Sequence, residues 1–348
     1  MMRLIHTADL HLKKGEKNRL EVLRWLINNL ERFGADALII AGDLFDNDTD
    51  ANILRPEVRK IFQNTDAKVI IIPGNHDQHS YSYDYDYGEN VVQLIKTPFE
   101  SYQLAGIKMV GIPYQEKRFI ECIKDLPEEI DLLVAHGTLY DKTFIFNYID
   151  DEETRYMPVY PESLSGLARY IALGHIHSRC IEKKYGDTFV VYPGSPSALD
   201  IKCVGKRCVY LVEFRDGDLK METVEVEISP YWVTREFFLF PGAEAKLIDE
   251  IREFLSGIKD KRVMVHLDIR GFSEESDRNL KSRVEQLIRE FKGKFSDFRI
   301  DTDKVQSWSQ LLENRIVRNF VQKTEGIEFN LRMKIFEITL PIFNKLLE

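Results

Sequence analysis

The chain has 348 residues, of which 44% are hydrophobic and 30% charged, and a formal net charge of −9. That length supports a sizeable core and about two domains, and the composition is that of a soluble globular protein. No apolar run approaches the roughly 20 residues of a membrane span. The acidic balance argues against a generic DNA-coating protein, while leaving open enzymes that handle phosphates through bound metal.

Met1-Met2-Arg3-Leu4-Ile5-His6 runs directly into an expected strand with no signal-peptide pattern. Cys122, Cys180, Cys203 and Cys208 have neither paired nor zinc-like spacing, and are expected as reduced thiols of a cytoplasmic protein.

In chain order, the first expected strand ends at Asp9-Leu10-His11. The basic loop Lys13-Lys14-Gly15-Glu16-Lys17-Asn18-Arg19 is either a solvated helix entry or a phosphate contact. Leu20, Val22, Leu23, Leu26, Ile27 and Leu30 recur at helical spacing up to Phe33, with Gly34 as the C-cap. Strand 37–42 completes a β-α-β unit and delivers Gly42-Asp43. Residues 46–52 are expected as a polar loop before a helix to about Asn64, in which Pro56 lies in the first turn or makes a kink. Strand Val69–Ile72 leads to Gly74-Asn75-His76-Asp77. Tyr81, Tyr83, Tyr85 and Tyr87 then alternate with small or acidic residues; their rings either stack on bases at a cleft rim or pack on a neighbouring helix or subunit.

Gln103–Val110, Thr188–Tyr192, Cys208–Phe214 and Lys220–Ile228 predict a second, more antiparallel sheet packed on the first. Leu132–Ala135 ends at His136-Gly137, and Tyr170–Gly174 ends at His175-Ile176-His177. Residues 139–168 are expected as a long irregular crossover over the active face. Composition changes near Ser229-Pro230, which suggests domains at 1–228, 229–305 and 306–348.

The middle segment reads as strand (Val233–Phe240), helix (Ala243–Leu255), strand (Arg262–Ile269), helix (Glu274–Phe291) and strand (Phe295–Ile300), a small α/β module. Arg278, Lys281, Arg283, Arg289, Lys292 and Lys294 there form either a phosphate-contacting patch or a face balanced by Glu285 and Glu290. In the tail, Trp308, Leu311, Leu312, Ile316, Val317, Phe320 and Val321 make one apolar helical stripe. A second helix, from about Ile327 to Leu347, is apolar on more than one side. Such a tail must be covered by its own domain or by a partner's helix, and the partner is preferred.

Five expected strand ends thus bring Asp9-x-His11, Gly42-Asp43, Gly74-Asn75-His76-Asp77, His136-Gly137 and Gly174-His175-x-His177 to one sheet edge, where open α/β sheets bind ligands. A lone histidine at a strand end is usually structural, but five of the eight histidines fall in these motifs. Asp43 is expected at the centre, bridging two metal ions. Mixed oxygen and nitrogen donors suit Mn²⁺, Fe²⁺ or Zn²⁺ better than Mg²⁺.

These motifs resemble the calcineurin-like metallophosphoesterase superfamily. More narrowly, His6-Thr7-Ala8-Asp9-Leu10-His11-Leu12, Gly42-Asp43-Leu44-Phe45-Asp46, Gly174-His175-Ile176-His177 and Tyr192-Pro193-Gly194-Ser195 resemble the SbcD-type (Mre-eleven) DNA repair nucleases. The resemblance covers residues 1–228 well, 230–305 by architecture, and 306–348 loosely. It implies an α/β fold: a two-sheet metallophosphoesterase sandwich flanked by helices, with a small α/β cap domain facing DNA and a helical tail.

By the same resemblance, Asp9, His11, Asp43 and His177 hold one metal, and Asp43, Asn75, His136 and His175 the other. Two ions about 3.5–4 Å apart would activate water for attack on phosphorus, with His76 as the catalytic histidine and Asp77 orienting it. The implied activity is hydrolysis of DNA phosphodiesters, exo- or endonucleolytic, with Mn²⁺ as working metal. The implied partners are DNA, a second copy through helices near 53–63 and 88–96, and an SbcC-type ABC ATPase on the 307–347 tail. The sequence departs from several relatives at Asp46, where they carry a second active-site histidine, and Gly15 lies further from His11 than the glycine that usually follows. A small-molecule phosphodiesterase or phosphatase, and a catalytically inactive scaffold, are the alternatives.

Overall fold

A computed structural model describes residues 1–141, 156–215 and 217–347. β1 (Met2–Thr7) alternates its burial between two layers. Met2 and Leu4 face the gap between two sheets, whereas Ile5 faces a helical layer. β2 (Ala37–Ala41) and β3 (Lys68–Ile72) repeat the pattern: Ala37, Ile39, Ala41, Ile70 and Ile72 face inward, and Leu38, Ile40, Val69 and Ile71 pack against helices. Strands covered on both faces read as continuous apolar runs, as parallel strands should.

The helical cover is α1 (Lys17–Phe33) and α2 (Asp48–Phe62). Gly34 ends α1 in the left-handed region with its N–H bonded back to Glu31 and Leu30, the expected C-cap. Helix α2 begins earlier than expected: the Asn47 side chain accepts from Asp50 N, and Asp48 and Asp50 occupy the first turn. These acidic residues complement the helix dipole. Pro56 therefore stands in the helix interior rather than its first turn.

The first sheet has the order β12-β11-β1-β2-β3-β4, and the second β5-β6-β7-β8-β10-β9. Here β4 is Val91–Gln93, β5 Glu100–Leu104, β6 Ile107–Ile112, β7 Leu132–His136 and β8 Tyr170–Gly174. β9 is Ile181–Tyr185, β10 Thr188–Tyr192, β11 Cys208–Arg215 and β12 Asp218–Glu225. Both sheets mix parallel and antiparallel pairs, so the second is not the more antiparallel one. β11 and β12 extend the first sheet, with Met2 opposite Phe214, because alternation predicts a strand but not its long-range partner. Residues 91–93 are strand, so the segment 88–96 expected as a dimer helix is not one.

In the tyrosine stretch, Tyr81 and Tyr87 are buried and stacked at 5.8 Å. Tyr83 bonds Glu100, and Tyr85 lies under the Arg55 guanidinium at 4.0 Å. Cys180 and Cys208 pair as a disulfide, correcting the expectation of four thiols, while Cys122 and Cys203 are free and buried. Both sulfurs of the pair lie against the Pro193 carbonyl, a convergence that their separation of 28 residues does not reveal. Of the expected crossover at 139–168, residues 142–155 lie outside the described residues; Leu139 and Val159 form an isolated parallel bridge.

Contacts divide the chain into Met1–Tyr231 and Trp232–Glu348. The second unit is a sheet β13 (Tyr231–Leu239), β14 (Val263–Ser273), β15 (Asp297–Ser307), with helices Glu244–Gly257 and Asp277–Glu290. The tail helices Trp308–Leu311, Arg315–Thr324 and Phe329–Leu347 belong to it, because Trp308, Leu311, Val317, Val321, Phe336 and Leu340 enclose a core with Phe272. Asn314 breaks the expected single stripe by capping Ile316 N and Val317 N. One side of the tail is thus covered by its own unit, while Ile316, Leu331, Ile338 and Ile342 remain exposed. The expected basic patch is partly neutralised: Lys281 pairs with Asp277 and Arg283 with Glu275, while Lys294 donates to the Leu255 carbonyl. Among the described residues, no helix is long and apolar enough to cross a membrane.

Candidate metal centre

The carboxyl ends of β1, β2, β3, β7 and β8 supply the site. A short ladder locks the first two exits together: Asp9 N donates to Gly42 O, His11 N to Asp43 O and Leu12 N to Leu44 O. Across the second sheet, His136 pairs in register with Gly174, which places His175 just beyond. Asp9, His11, Asp43 and His175 have φ values of 55°, 45°, 50° and 106°. Non-glycine residues in that region cost about 1–3 kcal/mol each and persist where the surroundings impose them, commonly at functional sites. Gly42 and Gly174 make room for the His136 ring, since a Cβ on either would collide with its Nδ1.

Ligand atoms of Asp9, His11, Asp43 and His177 all lie within 4.8 Å of one another. The Nε2 atoms of His11 and His177 are 3.2 Å apart, and His177 Nε2 is 3.8 Å from Asp9 Oδ1. On the other side of Asp43, His136 Nε2 lies 3.3 Å from its Oδ2 and 2.9 Å from Asn75 Oδ1, which is 3.2 Å from His175 Nδ1. The seven expected ligands therefore form two groups that share Asp43. Asp43 Oδ1 accepts from His76 N, whereas its buried Oδ2 accepts no hydrogen bond.

That arrangement fits divalent cations. If His136 donates Nδ1–H to Ala41 O at 2.8 Å, its Nε2 lone pair faces two oxygens. Without a cation the conflict needs an extra proton. The histidine is indeed pushed up to about 9: burial opposes its charge, but the Asp43 and Asp9 carboxylates outweigh burial. Burial likewise drives Asp9 up to about 8, with Asp43 and Asp77 adding to it. Burial also works against the Asp43 charge, but the rings of His136, His11 and His76 hold that carboxyl below its usual range. Burial and the His11 ring hold His177 well below the ordinary imidazole value. Mixed carboxylate, imidazole and amide oxygen donors around an unpaired buried oxygen suit divalent metal ions.

His76 is exposed at the mouth of the group, its ring 4.7 Å from that of His11. Its Nδ1 contacts the Asp46 carbonyl at 3.1 Å, not the Asp77 carboxylate. Asp77 is fully buried and accepts from Gly74 N, Phe45 N and Tyr81 OH, so it braces the turn and does not orient the ring. The neighbouring number misled, because adjacent residues in a turn point to different sides.

Three supports were not legible beforehand. The buried Arg207 guanidinium donates to the carbonyls of His177, Ser178 and Ser195 at 2.6, 2.8 and 2.8 Å, which ties the His177 loop to the Tyr-Pro-Gly-Ser element. Tyr192 OH donates to Gly137 O and accepts from Leu139 N, fixing the exit of β7. Tyr81 holds Asp77. Tyr192 lay in the Tyr-Pro-Gly-Ser element and Tyr81 in the tyrosine stretch, though neither with this role; Arg207 has no local signal. Asp46 contacts Lys13 and Arg19, and its carboxyl is held below the usual range by the His11 ring and Lys13.

Residues 2–179 match the model of the calcineurin-like phosphoesterase family. The SbcD component of the nuclease SbcCD from Escherichia coli strain K12 is 24% identical over 337 residues, spanning 82% of each chain. The DNA double-strand break repair protein Mre11 of Methanopyrus kandleri is 27% identical over 270 residues, 66% of this chain and 58% of that one. Among solved structures, an archaeal phosphodiesterase aligns with a TM-score of 0.37 at 15% identity, over 64% of this chain and all of that one. The matched stretch holds every residue of both donor groups, from Asp9 to His177, and the chain belongs to the calcineurin-like phosphoesterase family.

Proposed function

We propose that this protein is a dinuclear-metal phosphodiesterase acting on DNA, an SbcD-type nuclease. The observation that carries the reading is the buried Asp43 carboxylate, whose Oδ2 lacks a hydrogen bond between two groups of donors. Asp9, His11, Asp43 and His177 would hold one ion, and Asp43, Asn75, His136 and His175 the other, with Mn²⁺, one of the metals that mixed oxygen and nitrogen donors suit, as the working metal. The ions, when bound, supply Lewis-acid charge at the phosphoryl group. His76 sits at the exposed mouth; with Nδ1–H given to the Asp46 carbonyl, the ring in its doubly protonated form would give the second proton, on Nε2, to the leaving sugar oxygen. Asp77 serves by holding the turn that carries His76.

DNA as substrate is supported by the names of the relatives, both DNA repair or nuclease proteins. An SbcC-type ATPase partner is supported by the name of one relative, a component of SbcCD, and by the exposed Ile316, Leu331, Ile338 and Ile342 on the tail. A homodimer and a cytoplasmic location complete the reading. A small-molecule phosphodiesterase is the second reading, favoured by the ion pairs that neutralise Lys281 and Arg283.

The test is cleavage of end-labelled double- and single-stranded DNA with Mn²⁺, Mg²⁺ or EDTA, beside Asp43→Ala and His76→Ala. Manganese-dependent cutting lost in both variants is the expected result, and the product ladder separates exo from endo action. Cutting that survives both variants rejects the site. Turnover of bis-p-nitrophenyl phosphate with no DNA cleaved selects the second reading.

A further inference from the structure

Asp46 meets the metal centre from two directions. Its main chain spans the exits of β1 and β2: the amide donates to Leu12 O at 3.0 Å, and the carbonyl takes His76 Nδ1 at 3.1 Å. Its side chain faces the back of His11. Oδ1 lies 3.6 Å from His11 Nδ1, while Nε2 of the same ring is turned inward, 3.2 Å from His177 Nε2 and 3.5 Å from Asp43 Oδ2. The carboxylate is itself pinned. Lys13 Nζ lies 2.8 Å from Oδ2 and Arg19 Nη1 3.3 Å from Oδ1. Arg19 also donates to the His11 carbonyl at 2.7 Å, so the same side chain fixes both partners of the contact.

A neutral imidazole carries its proton on one nitrogen only. If Nδ1 holds it, Nε2 offers its lone pair to the centre; if Nε2 holds it, a proton points at His177 and Asp43. A carboxylate behind Nδ1 favours the first tautomer, and a carboxylate accepting from a ligating histidine also makes that ligand more basic. Resting on the two-ion reading and deepening it, we propose that Asp46 is a positioning residue for His11. Its carboxylate, clamped by Lys13 and Arg19, selects the Nδ1-protonated ring and so presents Nε2 to a divalent cation. The basic loop after β1 accordingly works inward through Lys13 and Arg19, holding a carboxylate rather than a substrate phosphate.

The test is Mn²⁺ binding by isothermal titration to the full chain, wild type beside Asp46→Ala and Asp46→Asn. Long-range proton–nitrogen spectra of the histidine rings in the metal-free proteins, and thermal melts, accompany it. Wild type should bind two ions and show His11 protonated on Nδ1. Asp46→Ala should weaken one of the two sites by about 10–100-fold, the usual effect of losing such an outer partner. It should also shift His11 toward Nε2 protonation without loss of the folded baseline. Asp46→Asn keeps an acceptor oxygen without the charge and should lose about tenfold at that site. Unchanged affinity, or a weakened site with the His11 tautomer unmoved, overturns the proposal. Should Asp46→Ala not fold, wild-type affinity and tautomer in the isosteric Asp46→Asn overturn it as well. Wild type that binds no Mn²⁺ sinks the two-ion reading and this inference together; two ions bound as tightly without Asp46 sink this inference alone.

Discussion

At the strand ends of the first unit, Asp9, Asp43, Asp77 and His136 are all fully buried, whereas on helix Asp277–Glu290 of the second unit Lys281, Arg283 and Arg289 stand in solvent. Both regions are dense in charge, but they obey different physics. Water can solvate an exposed ammonium whatever its neighbours do, so its ion pair is optional. A buried carboxylate has no such recourse, and every lone pair needs a specific partner or a cation. The first region should therefore respond sharply to single changes and the second hardly at all.

The largest effect is expected at Asp43. Asp43→Asn keeps the shape but removes the shared charge between the two donor groups. Loss of an outer-shell partner alone costs about 10–100-fold in metal affinity, so loss of the central ligand should weaken Mn²⁺ binding by more than about 100-fold, read by isothermal titration. Two ions retained at wild-type affinity would show that Asp43 does not bridge them.

The next effect probes the apolar core of the second unit, where no charge is involved. Phe272 is fully buried, with its ring 6.1 Å from that of Trp308 and 6.2 Å from that of Phe238. Phe272→Ala should cost about 3–5 kcal/mol in urea unfolding of that unit, while Mn²⁺ binding by the first unit stays as it was. Lost metal binding would mean that the two units do not behave independently.

What was legible in the sequence follows the same line. The ligands could be read because each follows an apolar run, and a parallel strand has one carboxyl end: Asp9, Asp43, Asn75, His136 and His175 each stand within three residues of one. The two-sheet sandwich was expected from alternating runs and from the family resemblance. Long-range partners were not. Alternation in Cys208–Arg215 gave a strand but not its pairing with β1. Nothing local marks Arg207 as the clamp on the His177 loop. The Asp77 side chain follows His76 in number yet turns to Gly74, Phe45 and Tyr81. On the basic helix both a phosphate contact and a balanced face were open, and the acids that pair with Lys281 and Arg283 are Asp277 and Glu275 rather than the expected Glu285 and Glu290.

A smaller, pH-dependent effect sharpens the contrast within the first unit. His6 is fully buried in the gap between the sheets, Nδ1 2.9 Å from Tyr170 OH, and burial lowers it to about 3. The folded chain therefore refuses a proton that the unfolded chain accepts below about 6.5. Stability from this group is present above that pH and is lost as pH falls from about 6.5 toward 3, at up to about 1.4 kcal/mol per pH unit. His6→Gln, which cannot take up a proton, should flatten the acid limb of a plot of urea midpoint against pH. An acid limb as steep as that of wild type would place the titration elsewhere.

The smallest effect is expected where the sequence looked most suggestive. Lys281 and Arg283 are exposed and paired with Asp277 and Glu275, both also at the surface or half-buried. Each pair gives up mobile side-chain freedom for an attraction that water and salt screen. Lys281→Ala and Arg283→Ala, singly or together, should leave the unfolding midpoint of the second unit within error of wild type, in low and in high salt alike. DNA affinity should also be insensitive to them, because their charge is already answered within the helix and its approach. Arg278, Arg289 and Lys292, exposed beside them, are a different case: charge there should show as a lower salt slope of DNA binding when all three are replaced by Gln. If Lys281→Ala lowers the salt slope as much as the triple change does, the pair opens on binding, and the helix works as the basic face that its composition first suggested.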